Sequence, residues 1–319
     1  MRRLVLIANP AASGFTSSLY REVVALLSGP FDVTSVWPNG PNEARSVAAE
    51  AAAEACDVVA AMGGDGIVHQ VANGLLGGKT ALGIIPAGTT NVLGRIIGYP
   101  TDPRDAAEAI SLSSAVRRVP VAKVATDSAL GVQQRLATFA AGVGFDAAVV
   151  ERAERTPLAK VPLGALHYAW NTARVLSGDY RKRLPNLRVT TGDRRADAVA
   201  VMVQLHDTFT YFGPVRLSLN GGRPSPAAAV VTRFDTLRML RLLARAARGL
   251  DPSRVPGVEI WTDFDAITVE ADPAVWAEAD GELLGKASHV EIIPAAEGLP
   301  IVDTGPRPRS RFGTRAKRS

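Results

Sequence analysis

Over the first third of the chain, short apolar runs alternate with stretches of helical spacing. Leu4 to Ala8 is a continuous apolar run ended by Asn9-Pro10, the pattern of a parallel strand buried on both faces. Ser17 to Leu27 carries apolar residues at helical spacing, Phe31 to Val36 reads as a second strand, and Glu43 to Ala55 as an Ala-rich helix. Asp57 to Met62 is a third strand running into Gly63-Gly64-Asp65-Gly66, and helical periodicity resumes from Ile67 to Leu76. A fourth strand, Ala81 to Ile85, closes on Pro86-Ala87-Gly88, and helices are predicted over Thr90 to Ile97 and Asp105 to Ser111. This alternation predicts a parallel, layered α/β domain over residues 1–117. In such sheets ligands bind beyond the carboxyl ends of the strands. Asn9, the glycine turn and Gly88-Thr89-Thr90-Asn91 all fall at predicted strand ends.

From Arg117 the pattern changes. Val119 to Ala125, Gln134 to Val143, Leu187 to Thr191, Ala198 to Leu205, Val215 to Leu219, Val258 to Trp261, Ala266 to Glu270 and Val290 to Pro294 are short apolar segments bounded by turn residues. They predict a mostly antiparallel β-rich domain over residues 118–304, its last strand allowed to return to the first domain. Helices are expected at Leu163 to Leu176 and Thr236 to Arg248. With no repeat and no long linker, the two domains are expected to pack around a cleft.

Composition narrows the function classes. The 319 residues are 47% hydrophobic, with a net charge of +5 that favours anionic partners. Six of the basic residues lie in the acid-free tail of residues 305–319 (Arg307, Arg309, Arg311, Arg315, Lys317 and Arg318), read as a solvated disordered segment with weak attraction for an anionic membrane. Aromatics interleave these charges only at Phe312, so nucleic acid is not an expected partner. One cysteine, Cys56, allows no internal disulfide, and four histidines beside it make a transition-metal site unexpected. No stretch reaches the ~18 apolar residues of a membrane span. The expected location is the cytoplasm, with peripheral membrane contact; the oligomeric state is left open, a dimer included.

The chemistry starts at the glycine turn. A strand feeding Gly63-Gly64-Asp65-Gly66 and then a helix gathers backbone N–H groups where glycines let phosphate oxygens approach. A carboxylate beside polyphosphate is repulsive unless a cation bridges them, so Asp65 points to a Mg²⁺-nucleotide. A plain strand-to-helix turn would read the same way locally. Asp280-Gly281-Glu282 lies between two apolar segments and offers two carboxylates to accept a hydroxyl proton, though an ordinary hairpin turn has the same appearance.

Taken together these segments resemble the diacylglycerol kinase catalytic-domain family, which includes bacterial lipid kinases, sphingosine kinases and ceramide kinases; NAD kinases carry a related loop. Asn9-Pro10-Ala11-Ala12-Ser13-Gly14 resembles the family's opening phosphate turn, Gly63 to Leu75 its long glycine-loop block, and Pro86-Ala87-Gly88-Thr89-Thr90-Asn91 its P-x-G-T-x-N block. Gly142-Val143-Gly144-Phe145-Asp146 is similar to its G-x-G-F-D, and Asp280-Gly281-Glu282 to its late D-G-E. The resemblance implies a two-domain ATP- and Mg²⁺-dependent kinase acting on a lipid hydroxyl at the membrane surface. ATP would be held at Asn9, Pro10, Ser13, Gly63, Gly64, Asp65, Gly66, Ile67, Gln70, Gly88, Thr89 and Asn91, with Asp65 near the metal and Asp280 or Glu282 as the base. The block Leu163-Gly164-Ala165-Leu166-His167-Tyr168, followed by Arg181-Lys182-Arg183, resembles the lipid kinases rather than NAD kinases.

Five positions depart from the family pattern. Ile67 stands where Thr is usual, Gln70 where Glu is usual, Val92 where Asp is frequent, and Trp37 where a nucleotide-contacting Thr falls in a loose alignment. Ser225 to Thr232 lacks the acids linked to a structural Mg²⁺ in relatives, so that second metal site is not expected. The departures keep two alternatives in play: a kinase of a soluble acceptor such as NAD, and a non-catalytic nucleotide- or lipid-binding regulator.

Overall fold

A computed structural model describes residues 1–128, 131–155 and 184–305. The expected helix at Leu163 to Leu176, the Leu163 to Tyr168 block, Arg181 to Arg183 and the basic tail lie outside the described residues. The chain divides into two compact units, one of Met1–Val119 with the residues from Ala296 onward, the other of Pro120–Ala295.

In the first unit the apolar runs become β1 (Arg2–Ala8), β2 (Phe31–Val36), β3 (Val58–Gly63) and β4 (Ala81–Pro86), joined by α1 (Ser17–Leu27), α2 (Pro41–Ala53) and α3 (Asp65–Gly74). α4 (Val92–Ile96), α5 (Pro103–Leu112) and β5 (Val116–Val119) follow. Strands β1 to β4 are mutually parallel in the order β2-β1-β3-β4. β3 and β4 are buried along their whole length, which is why they read as unbroken apolar runs. Thr16 caps α1 by accepting from the Leu19 amide at 3.1 Å, and Asp102 caps α5 by accepting from Arg104 N at 2.8 Å, fixing two boundaries by side-chain chemistry.

The second unit holds β6 (Ala122–Ser128), β7 (Gly131–Ala137), β8 (Ala140–Val143), α6 (Phe145–Arg155), β9 (Leu187–Thr191), β10 (Arg194–Ala198), β11 (Ala200–Gln204), β12 (Thr210–Phe212), β13 (Val215–Leu217), β14 (Ala227–Val231), α7 (Thr236–Ala247), β15 (Val258–Thr262), β16 (Ile267–Ala279) and β17 (Glu282–Pro294). Its large sheet runs β15-β14-β11-β8-β16-β17-β6-β7, with β9 also pairing β16. The apolar segment from Val119 to Ala125 is the end of β5 and the start of β6, strands of different units separated by Pro120-Val121. Gln134 to Val143 likewise divides into β7 and β8 at Thr138-Phe139.

The last strand, β18 (Leu299–Val302), returns to the first unit, parallel to β4 and antiparallel to β5. Tyr99, 1% exposed, anchors it by donating its hydroxyl to the Val302 carbonyl at 2.6 Å. Burial pushes the Tyr99 phenol far above its ordinary ionisation range, so it serves as a permanent donor. Tyr99→Phe leaves that buried carbonyl without its donor, a loss of about 1–3 kcal/mol. Thermal denaturation is expected to show a melting point lower by several degrees, and an unchanged melting point would refute this role.

Candidate active site

The carboxyl ends of β1, β3 and β4 are fastened to one another by backbone hydrogen bonds. Asn9 N donates to Met62 O at 2.9 Å, Ala87 N to Gly63 O at 2.8 Å, and Gly14 N to Ala87 O at 2.8 Å. The three loops predicted to hold phosphate therefore form one surface of the first unit. Two glycines are required by contact. A methyl group on Gly88 would lie 2.4 Å from Gly64 Cα, and one on Gly14 would lie 2.9 Å from Ala87 O.

Side chains shape this surface more than they populate it. Asn9 Oδ1 accepts from Ala11 N at 2.9 Å and sets the first turn. Asn91 has a left-handed backbone, φ 51°, and closes a ring on Gly88: Gly88 N donates to its Oδ1 at 3.0 Å and its Nδ2 donates to Gly88 O at 2.8 Å. Asp65, in the first turn of α3, accepts from Val92 N at 2.6 Å. One carboxylate thus joins the N-termini of α3 and α4, where both helix dipoles favour negative charge. The departure at Val92 changes little here, because it is the backbone of that residue that meets Asp65.

Ile67 and Gln70 are buried on α3, so their side chains pack inward and only backbone at these positions is available to a ligand. A methyl on Gly63 would lie 2.6 Å from Ile67 Cγ2, which shows how closely Ile67 covers the end of β3. The Gln70 side-chain oxygen, Oε1, is buried without a hydrogen-bond partner. Pro10, Ser13 and Thr89 are exposed, and the two hydroxyls lie 3.2 Å apart. With the amides at the start of α3, which have no intrahelical partner, they are groups of the kind that could hold an anion.

The second unit carries the other expected residues. Ala279 pairs with Glu282, so Asp280-Gly281 is a two-residue hairpin turn, and φ is positive at both positions (56° and 83°). That is the geometry of the I′ turn, which favours Asp-Gly. Asp280 is 6% exposed, and its carboxylate gathers four donors. Thr138 N (2.7 Å) and Thr138 Oγ1 (2.8 Å) reach Oδ2, while Phe139 N (2.9 Å) and Ala140 N (3.2 Å) reach Oδ1. Four donors match the roughly four lone-pair directions of a carboxylate. Glu282 is half-buried beside it on β17.

A second carboxylate pair lies behind the turn, and the sequence reading gave it no role. Glu278 is 2% exposed; its Oε2 accepts from Gly281 N at 2.7 Å. A methyl on Gly142 would lie 2.6 Å from Glu278 Oε1 and 3.0 Å from Asp146 Oδ2, so both carboxylates crowd one small space. Glu278 Oε1 receives no hydrogen from neighbouring protein donors. Burial, and then the negative charge of Asp146, push the Glu278 carboxyl well above the ordinary range. A proton shared between the two carboxyls satisfies this geometry. The signal in the sequence was a carboxylate two residues before Asp280 inside an apolar strand.

Asp146 and Thr210 also border a narrow pocket lined otherwise by apolar side chains such as Phe145, Met202, Leu219, Met239 and Leu242. Among the described residues no group of three His, Cys, Asp or Glu side chains is arranged to hold a metal, and no helix is long and apolar enough to cross a membrane.

Comparison with known proteins matches residues 3–124 to the diacylglycerol kinase catalytic domain. The chain is 31% identical over 269 residues to the diacylglycerol kinase of Mycobacterium tuberculosis, covering 83% of each. It shares its fold with a crystal structure of a diacylglycerol kinase from Bacillus anthracis (TM-score 0.67, 19% identity, 94% of this chain and 96% of that one). An ATP-bound NAD kinase from Archaeoglobus fulgidus is a more distant fold relative (TM-score 0.51, 12% identity, 98% and 97% covered).

Proposed function

The chain belongs to the diacylglycerol kinase catalytic-domain family, and from that premise we propose that this lipid kinase transfers the γ-phosphoryl group of ATP to the hydroxyl of a diacylglycerol-like or sphingoid-like lipid. The acceptor oxygen forms a bond to the γ-phosphorus as the bond to the β–γ bridging oxygen breaks. ADP leaves, and the hydroxyl proton passes to a carboxylate. Such a reaction needs positioning and charge neutralisation more than covalent help from protein.

In the first unit the amides of Gly64 to Ile67, with the Ser13 and Thr89 hydroxyls, would grip phosphate oxygens, and Asn9, Gly88 and Asn91 would keep the loops in shape. Mg²⁺ is held in such sites by one or two carboxylates and the substrate phosphates. Among the described residues no metal-holding group of acids includes Asp65, which fits a metal carried by the nucleotide, whose charge would offset that on the phosphates. In the second unit Glu282 or Asp280 would accept the proton. The committed oxygens of Asp280 favour Glu282, with Asp280 holding the hairpin.

The observation that carries a lipid acceptor is the apolar pocket in the second unit, with Asp146 as its acidic group. It encloses about 50 Å³, room for the tip of an alkyl chain, and Met202 and Met239 are side chains of the kind that yield to admit more. The test is labelled ATP and Mg²⁺ with pure protein and a panel of diacylglycerol, sphingosine, monoacylglycerol and NAD. Label is expected in a lipid. Label in NAD alone would assign a soluble acceptor, and ATP binding without transfer to any acceptor would assign a regulator; either overturns the proposal.

A further inference from the structure

Helix α7 has two faces, and the apolar pocket uses one of them. Met239, Leu242, Leu243 and Ala246 face inward and line the pocket. At 3.6 residues per turn the opposite side carries Leu237, Leu240, Arg241, Ala244 and Arg248. Leu237 is 57% exposed and Leu240 51%, and Arg241 and Arg248 are exposed beside them. Leu250, just beyond the helix, is exposed as well. The inner stripe already packs α7 onto its own unit, so the outward leucines add nothing to that packing. An outward apolar pair flanked by arginines is the pattern of a helix that lies in a lipid headgroup layer.

The charge on this helix is one-sided. Thr236 to Arg248 contains Arg238, Arg241, Arg245 and Arg248 and no acid. Asp235, at the N-cap, is taken up by Arg238. Arg245 Nε donates to the Asp251 carbonyl at 2.7 Å, and the Asp251 carboxylate is held by Arg223 at 2.8 Å. Among the described residues Arg241 has no carboxylate partner, and Arg248 reaches the Ala244 carbonyl of its own helix at 3.5 Å. Two positive charges are therefore left over on the face that carries Leu237 and Leu240, and they complement an anionic surface. Nucleic acid would satisfy the arginines but leave the leucines without a partner, and α7 has no aromatic residue to stack on a base. A second copy meeting through the same face would set arginine against arginine.

We propose that the outer face of α7 is the surface by which the second unit docks on an anionic membrane, with Leu237 and Leu240 entering the headgroup layer and Arg241 and Arg248 meeting lipid phosphates. This rests on the lipid-kinase reading and deepens it, because the wall of the acyl-chain pocket would itself lie on the bilayer that supplies the acceptor. A helix about 10 Å across, seated about 5–10 Å deep, would bring the pocket behind it level with the headgroups. The membrane contact is thereby placed on a folded helix rather than in the basic tail of residues 305–319.

Sedimentation of the full chain with vesicles measures the docking directly. The wild type is expected to bind vesicles of phosphatidylcholine mixed with phosphatidylglycerol, and phosphatidylcholine alone much less. Arg241→Gln with Arg248→Gln should weaken binding to the mixed vesicles on the order of 30-fold, and Arg241→Lys with Arg248→Lys should retain most of it. Leu237→Ser with Leu240→Ser should weaken it on the order of tenfold, a ratio that should persist at high salt, where charge is screened. These side chains are exposed, so the variants should melt close to the wild type. Wild-type binding by both the Gln and the Ser pairs would overturn the proposal. So would binding indifferent to phosphatidylglycerol, no vesicle binding at all, retention of RNA in place of vesicles, or a shift from dimer to monomer with vesicle binding unchanged. Labelled ATP and diacylglycerol carried in the mixed vesicles separate this surface from the reading beneath it. A chain that docks through α7 but labels no lipid would sink the lipid-kinase reading and leave the surface standing. Equal labelling by the wild type and all variants would sink the surface and leave the kinase.

Discussion

Glu282→Gln is expected to lower kcat by about 10²–10⁴-fold, the range for a lost general base, with a melting temperature close to that of the wild type. Asp280→Asn is expected to lose activity for a different reason. Its carboxylate accepts from Thr138 N, Thr138 Oγ1, Phe139 N and Ala140 N. An amide keeps one oxygen for two of these donors and turns an NH₂ group toward the others. Two buried donors left unpaired cost about 1–3 kcal/mol each, so the stability of the second unit should fall by about 2–6 kcal/mol. Backbone strain does not confuse the comparison, because Asn tolerates the left-handed φ of 56° that Asp280 adopts. Scanning calorimetry and steady-state kinetics on the two variants decide the roles. If Asp280→Asn melts like the wild type and has no turnover, Asp280 is the base and Glu282 the support.

How the two carboxylates divide their work illustrates what the sequence could and could not reveal. The loops at the ends of β1, β3 and β4 were legible because buried parallel strands leave unbroken apolar runs that stop where the loops begin. α1 and β2 were read to their ends, since a capping Thr16 and a clean change of period mark them. The long hairpin of β16 and β17 was read only at its far ends. Asp272-Pro273 interrupts the apolar alternation, and exposed positions along both strands hide the rest. α6 was missed because Phe145-Asp146 reads first as the close of a glycine motif. Side-chain partners within the protein were not legible: Asp65 and Asn91 were expected at a nucleotide, and the structure adds the bonds each makes inside the protein, to Val92 N and to Gly88. The pairing of Glu278 with Asp146, residues far apart in sequence, is made by tertiary packing of α6 against β16, which no local pattern encodes.

That pair gives the protein a measurable response to pH. In the unfolded chain a glutamate ionises near pH 4.5. In the fold, burial and the neighbouring charges of Asp146 and Asp280 push the Glu278 carboxyl well above that value. Below pH 4.5 both states carry the proton and the pair costs nothing. Above it the unfolded chain releases the proton while the folded chain retains it, so stability falls as pH rises, by about 1.4 kcal/mol per pH unit for one proton, until the folded group also ionises. Glu278→Gln removes this dependence without emptying the site. The amide oxygen still accepts from Gly281 N, and the NH₂ group donates to Asp146 where the shared proton lay. The variant should therefore match the wild type near pH 4 and exceed it by a margin that widens through neutral pH, as read by urea denaturation at a series of pH values. A difference that is constant across pH would show that Glu278 carries no extra proton in the fold. A variant less stable at every pH would show that the cost of the amide outweighs relief of the paired charge. Turnover should survive this substitution where Glu282→Gln lowers it, because Glu278 is 2% exposed and bonds the hairpin through Gly281 N.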